Sequence, residues 1–190
     1  MSIVTSTQAE QDAVLSAAKL IMAAITTSPK TRGLSTVSSA LIYGEEKERL
    51  AAAMERKHAQ KKSPLDSYPR DAQNVRRSAA VLLIGIRGTV PKRPERPLNC
   101  GACGNMTCAE FIRSEKKTGE DYKGPLCAFE VVDLGIACGV AAKMAAELNL
   151  DNRLMYTAGA AAMSLGYLDA EMIVALPLSV SPKNIYFDRH

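Results

Sequence analysis

Four cysteines stand in the pattern Cys100-x2-Cys103-x4-Cys108-x18-Cys127. Thiolates bind soft metals, and three of these fall within nine residues. The residues between them are small: Gly101, Ala102, Gly104 and Asn105. A cubane cluster needs three thiolates from one tight loop and a fourth from further along the chain. Glycines let such a loop turn and let backbone N–H groups point at sulfide. Zinc is the rival ion, since it also accepts four thiolates. Structural zinc sites more often use two short Cys pairs, whereas Cys127 stands alone. The spacing favours one iron–sulfur cluster, with a structural zinc or no metal as the alternatives. Four sulfur ligands leave no open position, so the chemistry is electron transfer or structure, not Lewis-acid hydrolysis.

A fifth cysteine, Cys138, lies beside Gly139 in a run of small residues. It reads either as a small buried hydrophobe or as a redox thiol or extra ligand near the cluster. Lys30 and Arg32, between Pro29 and Gly33, are either a phosphate clamp or a solvated turn. Asn74, Arg76 and Arg77 precede an apolar run, where loops at sheet ends often carry ligands; a capped turn with solvated arginines fits as well. Tyr156, Tyr186 and Phe187 could flank a planar cofactor or simply pack. Gly85-Ile86-Arg87-Gly88 lacks the spacing and the following helix of a phosphate loop. Neither His58 nor His190 has a nucleophile or metal partner in the pattern, and no Ser/His/Asp or paired-carboxylate arrangement stands out.

These groups must be positioned by a body with a real core, because 47% of the 190 residues are hydrophobic. Aromatics are only 5% and Trp is absent, which favours closely packed helices. Helical spacing predicts helices over 7–27, 45–61 and 129–148, and another from Asp151 to Leu165 closed by Gly166. Residues 72–77 read as a helical turn. Residues 79–86 are apolar on both faces and predict a central strand; 37–43 and 171–176 are further strand candidates. Asp151-Asn152-Arg153 reads as a helix cap. In the helix from Phe129, a stripe of Val132, Ile136, Val140 and Met144 is set among Gly135, Gly139, Ala142, Ala145 and Ala146. Helical glycines cost about 1 kcal/mol each, so a close partner is expected, either a helix–helix core or a dimer seam. The domain reading is a body of residues 1–97 and 128–190 interrupted by a cysteine-rich insert, 98–127.

A net charge of +4 is too small to predict nucleic-acid binding. No apolar run reaches bilayer length and no basic leader is present, which predicts no membrane association. An odd cysteine count in a metal-like pattern fits a reducing cytoplasm.

The segment LNCGACGNMTCAEF followed by PLC resembles the iron–sulfur domain of electron-transport complex B subunits and corrinoid iron–sulfur proteins. That resemblance implies a [4Fe–4S] cluster on Cys100, Cys103, Cys108 and Cys127. Over nearly its full length the chain resembles prokaryotic ferredoxin-domain-containing proteins of unknown function. The matches are TSPKTRG (27–33), RDAQNVRRSAAVLLIG (70–85), the cysteine insert, DLGIACG (133–139), DNRLMYTAGAAAMSLG (151–166) and PLSVSPKNIYFDR (177–189). The element order also resembles the FMN-dependent nitroreductases. This implies an α+β, three-layer body, a homodimer, and FMN at the subunit interface. By position, Lys30, Arg32, Lys183 and Arg189 are the counterparts of the residues holding the FMN phosphate. The combined expectation is a redox protein passing electrons between cluster and flavin, with an unidentified electron donor or acceptor. The alternative is a non-enzymatic iron–sulfur carrier or sensor, or a structural zinc protein.

Overall fold

The apolar pattern resolves into two packing problems, one on each face of a single sheet. In the computed structural model, which describes residues 3–187, α1 (Ser6–Thr27) buries Val14, Ala17, Ala18, Ile21 and Ile25 at helical spacing. The Thr5 hydroxyl caps its start by accepting from the Gln8 amide. A 3-10 turn (Thr31–Gly33) leads into β1 (Val37–Tyr43), α2 (Glu45–Gln60), α3 (Ser67–Arg77) and β2 (Ala80–Ile86). Then come α4 (Cys108–Arg113), a short hairpin of β3 (Lys117–Thr118) and β4 (Lys123–Gly124), and α5 (Ala128–Glu147). The chain continues with β5 (Asp151–Asn152), α6 (Tyr156–Ala162) and β6 (Met172–Ser179).

The main sheet has the order β1-β2-β6-β5, and every pairing is antiparallel. β2 is central and buried throughout. Side chains alternate across a strand. Val81 and Leu83 face one way and pack with Ile42, Ile173 and Ala175 beneath α2, α3 and α6. Ala80, Leu82, Ile84 and Ile86 face the other way, with Leu176 and Leu178, beneath α1 and α5. Each fully buried Leu or Ile here contributes on the order of 2 kcal/mol. The result is a helix–sheet–helix body of α+β class. No helix among the described residues is long and apolar enough to cross a membrane.

Several local expectations change. The turn expected at 72–77 is a full helix from Ser67. Pro69 lies in its first turn, where no intrahelical N–H is needed. The helix expected from Asp151 begins only at Tyr156. Asp151 and Asn152 instead pair with Ser179 and Leu178 as β5, so they are not a helix cap. The strand expected at 171–176 runs on to Ser179, through Pro177. The Leu178 carbonyl accepts from Ala79 on the β2 side. By alternation the missing N–H of Pro177 falls on the other side, beyond the last paired residue of β5.

In α5 the buried face is Leu134, Ala137, Cys138, Ala141 and Ala145. Val132 and Ile136 are exposed, so the branched stripe points outward while the alanines meet α1. The close approach that does require a glycine lies elsewhere. A Cβ on Gly159 of α6 would sit 2.1 Å from the Ile173 carbonyl oxygen of β6. That helix can lie on the sheet only with hydrogen at this position.

Candidate metal centre

Cys100 and Cys103 lie on the loop that precedes α4. Gly101 and Gly104 have φ of 74° and 83°, a region that costs glycine nothing. Between them the Gly104 amide donates to the Gly101 carbonyl at 2.9 Å, closing a tight turn. Cys108 is the first residue of α4, capped by Thr107. Its amide donates to the Asn99 side-chain oxygen at 2.9 Å, which draws the ends of the loop together. Cys127 sits at the N-cap of α5. Cys127 and Cys108 thus occupy the starts of two helices. Burial pushes the Cys127 thiol up, against the opposing pull of the Glu130 and Phe129 amides. Cys100, Cys108 and Cys127 line one recess with Arg32, Lys92 and Glu130. Cys103 lies close enough to influence Cys127 electrostatically.

Four thiolates at this place suit either a cubane cluster or a tetrahedral zinc. Cys138 stands apart. It is eleven positions along α5 from Cys127, which is about 16 Å of helix rise. Burial pushes its thiol up to about 12, so it is an inert core group at neutral pH.

Beneath the recess lies a buried ion network that the sequence did not announce. The Lys92 ammonium, from the Pro- and Arg-rich linker, bonds Asp133 of α5 and lies 3.5 Å from Glu130. Asp133 also accepts from the Thr31 amide at 2.9 Å and from the Thr31 hydroxyl at 2.9 Å. The Thr36 hydroxyl bonds one oxygen of Glu130, and the other oxygen has no hydrogen-bond partner among the described residues. Desolvation raises the Glu130 carboxyl above its ordinary range, more than Thr36 and Lys92 pull it down. The signal in the sequence is the acidic pair Glu130 and Asp133 at i and i+3, with no other charge before Lys143 in that helix.

The insert is also tied to the far side of the body. Asp121 receives hydrogen bonds from Lys61 at 2.5 Å and from the Tyr156 hydroxyl, and pairs with Lys57 at 2.9 Å. Burial alone would raise its carboxyl, but these donors hold it at about 2. The Tyr122 hydroxyl donates to the Ile173 carbonyl at 2.8 Å.

Of the four cations expected at a flavin phosphate, the three among the described residues are not brought together within one protomer. The Lys30 ammonium bonds the Ile25 and Ser28 carbonyls at 2.7 Å each, so it closes the C-terminus of α1. Arg32, with φ of 60°, turns toward the cysteine recess and donates to the Arg96 carbonyl. Lys183 follows the opposite end of β6, and Ser179 at that end aligns with the start of β2. The sheet therefore separates it from Arg32 by roughly 20 Å. Arg189 lies outside the described residues. Arg76 is held by Glu48 and Glu55. Asn74 is buried, and its carbonyl accepts from the Ser78 hydroxyl. Tyr156 is engaged with Asp121 and Tyr186 with Ser78.

Beside the cysteine recess runs a groove. A cavity of about 270 Å³ shares Pro91 and Lys92 with it. A second, of about 320 Å³, continues past Thr36 and Arg87 to Tyr167 and Asp169. Glu171 secures its wall by accepting from the Gly88 and Thr89 amides and the Thr89 hydroxyl.

Residues 123–189 match the family described as uncharacterized protein containing a ferredoxin domain. Of the four cysteines in the pattern, only Cys127 falls in that match. An uncharacterized protein of Archaeoglobus fulgidus is 44% identical over 175 residues, covering 90% of each chain. Among solved structures, the chain is similar to a BluB-like flavoprotein from Clostridium difficile (TM-score 0.56, 14% identity, 100% of this chain, 86% of that one). It is also similar to a nitroreductase with bound FMN from Desulfitobacterium hafniense (TM-score 0.53, 14% identity, 96% and 82%). Against the NADPH:FMN oxidoreductase of Vibrio harveyi the TM-score is 0.53 at 14% identity, with 96% of this chain matched and only 63% of that one. The chain belongs to the family of uncharacterized proteins containing a ferredoxin domain, and it carries that family's sequence on a nitroreductase-like fold.

Proposed function

We propose that the protein is a redox protein whose Cys100, Cys103, Cys108 and Cys127 hold one [4Fe–4S] cluster. The observation that carries this reading is the convergence of a glycine-turned loop and two helix starts on one recess. Such a cluster supplies one-electron transfer. The chain's own residues supply the rest. The Phe129 and Glu130 amides at the start of α5 point their partial positive charge at the Cys127 sulfur. Lys92, pinned on Asp133, holds the linker from which the loop departs. Asp121 and Tyr122 fix the other end of the insert on α2 and β6. On this reading 98–127 is the cluster-bearing insert of a body made by 1–97 and 128–190.

The second reading adds FMN between two protomers. It is favoured by the groove that shares Lys92 and Pro91 with the cysteine recess. The cations do not assemble on one phosphate within a protomer, so a site using both Arg32 and Lys183 needs the second copy. The outer face of α5 fits the role of dimer seam. Val132 and Ile136 are exposed there, and nothing lies within 4 Å of a Cβ placed on Gly135 or Gly139.

Anaerobic purification, followed by iron, sulfide, zinc and flavin analysis, tests both readings. About four irons and four sulfides per chain are expected. A yellow chromophore that survives cluster removal would add the flavin, and its absence would leave a cluster-only carrier or sensor. One zinc per chain with no sulfide would sink the redox reading.

A further inference from the structure

We infer that the exposed edge of the cysteine loop is a docking face for a small acidic redox protein. The inference rests on the cluster reading above and names the chemistry of the electron-exchange partner. The face is apolar in part: Leu98, 49% exposed, lines the recess with the exposed Cys100, and Met106, 80% exposed, lies on the same loop between Cys103 and Cys108. Its rim is cationic. Arg32 lines the same recess as Leu98 and Cys100 and reaches the Arg96 carbonyl. Arg93 and Arg96 share one turn, closed by a 2.9 Å bond from the Arg96 amide to the Arg93 carbonyl. Among the described residues no ion pair engages Arg32, Arg93 or Arg96, so their charge is available to a visitor.

The nearby acids do not cancel the rim. Glu95 lies in the same turn, and the Glu110 carboxylate accepts from the Met106 amide at 3.0 Å. Arg32, Arg93 and Arg96 still outnumber those two glutamates, with Lys92 buried in its own ion pairs. An apolar centre with a charged rim is the anatomy of a transient interface, and complementary charge raises its association rate. The thiolate-bound cluster is itself anionic. An acidic partner would be repelled from its exposed edge unless the arginines overcame that repulsion. A small anion would leave Leu98 and Met106 uncovered, whereas a protein surface would cover them. The outer face of α5 differs: Val131, Val132, Gly135, Ile136 and Gly139 carry no charge, which suits a second copy of the chain.

The test uses the full chain loaded anaerobically with cluster, its iron counted and its potential measured first. The reduced protein is mixed in a stopped-flow instrument with an oxidised acidic flavodoxin, and separately with a basic c-type cytochrome. Oxidation by flavodoxin is expected to slow more than about tenfold as salt rises from low to molar strength, while oxidation by the cytochrome does not slow. In the Arg93→Glu/Arg96→Glu variant, the flavodoxin rate at low salt should fall by about tenfold and return to the wild-type value at high salt. Met106→Ser, which removes the apolar contact without adding charge, should slow the flavodoxin reaction at every salt concentration. Rates that ignore salt and the arginine variant would overturn the docking face and leave the cluster standing. So would a variant that shifts the potential without changing the salt dependence, because the arginines would then serve only the cluster. A chain that takes up no iron would overturn the cluster and the docking face together.

Discussion

The two ends of the central sheet are built from different chemistry. At one end β1 begins, β2 ends and β6 begins. There Lys92, Glu130 and Asp133 are buried as charges, Glu171 receives three donors, and the cysteines gather above them. At the other end Ser78 bonds Tyr186 at 2.9 Å, and the half-buried Lys47 ammonium reaches the Ser78 and Arg76 carbonyls, with no carboxylate ion-paired to it among the described residues. That end also opens into a cleft of about 560 Å³ between α1 and the strand ends. Buried ions are costly and are held only where geometry satisfies them. The far end closes with hydroxyls, carbonyls and one ammonium, whereas the cysteine end buries a cation together with two carboxylates.

The largest effect is expected from Lys92→Met. It leaves Glu130 and Asp133 buried without a counter-charge, and urea unfolding should show a loss of roughly 3–5 kcal/mol. The matching change at the other end, Lys47→Met, removes bonds to carbonyls only and should cost about 1–2 kcal/mol. Equal losses would erase the contrast between the ends.

Asp121→Asn comes next. The Asp121 carboxyl is held at about 2, below its ordinary range. Its contribution is therefore full above about pH 4 and is lost as pH falls toward 2. A shift of this size corresponds to about 2 kcal/mol at neutral pH. The Asn variant should lose about that much stability and should show a flatter decline between pH 4 and 2 in acid titrations followed by circular dichroism. An unchanged acid limb would mean that the insert is not tethered through this carboxylate.

Tyr186→Phe should cost about 1 kcal/mol through the lost Ser78 contact, with iron content unchanged. Arg77→Ala, at the exposed mouth of the far cleft, should stay within about 0.5 kcal/mol. A larger effect there on iron content would show that the two ends are coupled.

What could be read from the chain follows the range of the physics. β2 was legible because seven buried residues in a row admit few alternatives, and α1 because Val14 to Ile25 keep a strict helical period. The cysteine loop was legible because its chemistry is local. β5 was not, because Asp151 and Asn152 have the local character of a helix start and become a strand only by meeting β6. The outward turn of Val132 and Ile136 was hidden for a related reason: hydrophobicity marks a face, but the neighbour decides which face. Lys92 sits in a Pro- and Arg-rich stretch with no local partner, and its partners lie 38 and 41 residues away. Lys30 could be read as a clamp or a solvated turn, and its ammonium instead bonds carbonyls at the C-terminal end of the preceding helix.

The most direct test of the central claim is an iron and acid-labile sulfide count on anaerobically reconstituted single variants. The account predicts about four irons per chain in the wild type and in Cys138→Ser. It predicts a stable cubane in none of Cys100→Ala, Cys103→Ala, Cys108→Ala or Cys127→Ala, with the sheet still folded. A full iron count in the Cys108→Ala or Cys127→Ala variant, or its loss in Cys138→Ser, would contradict the assignment.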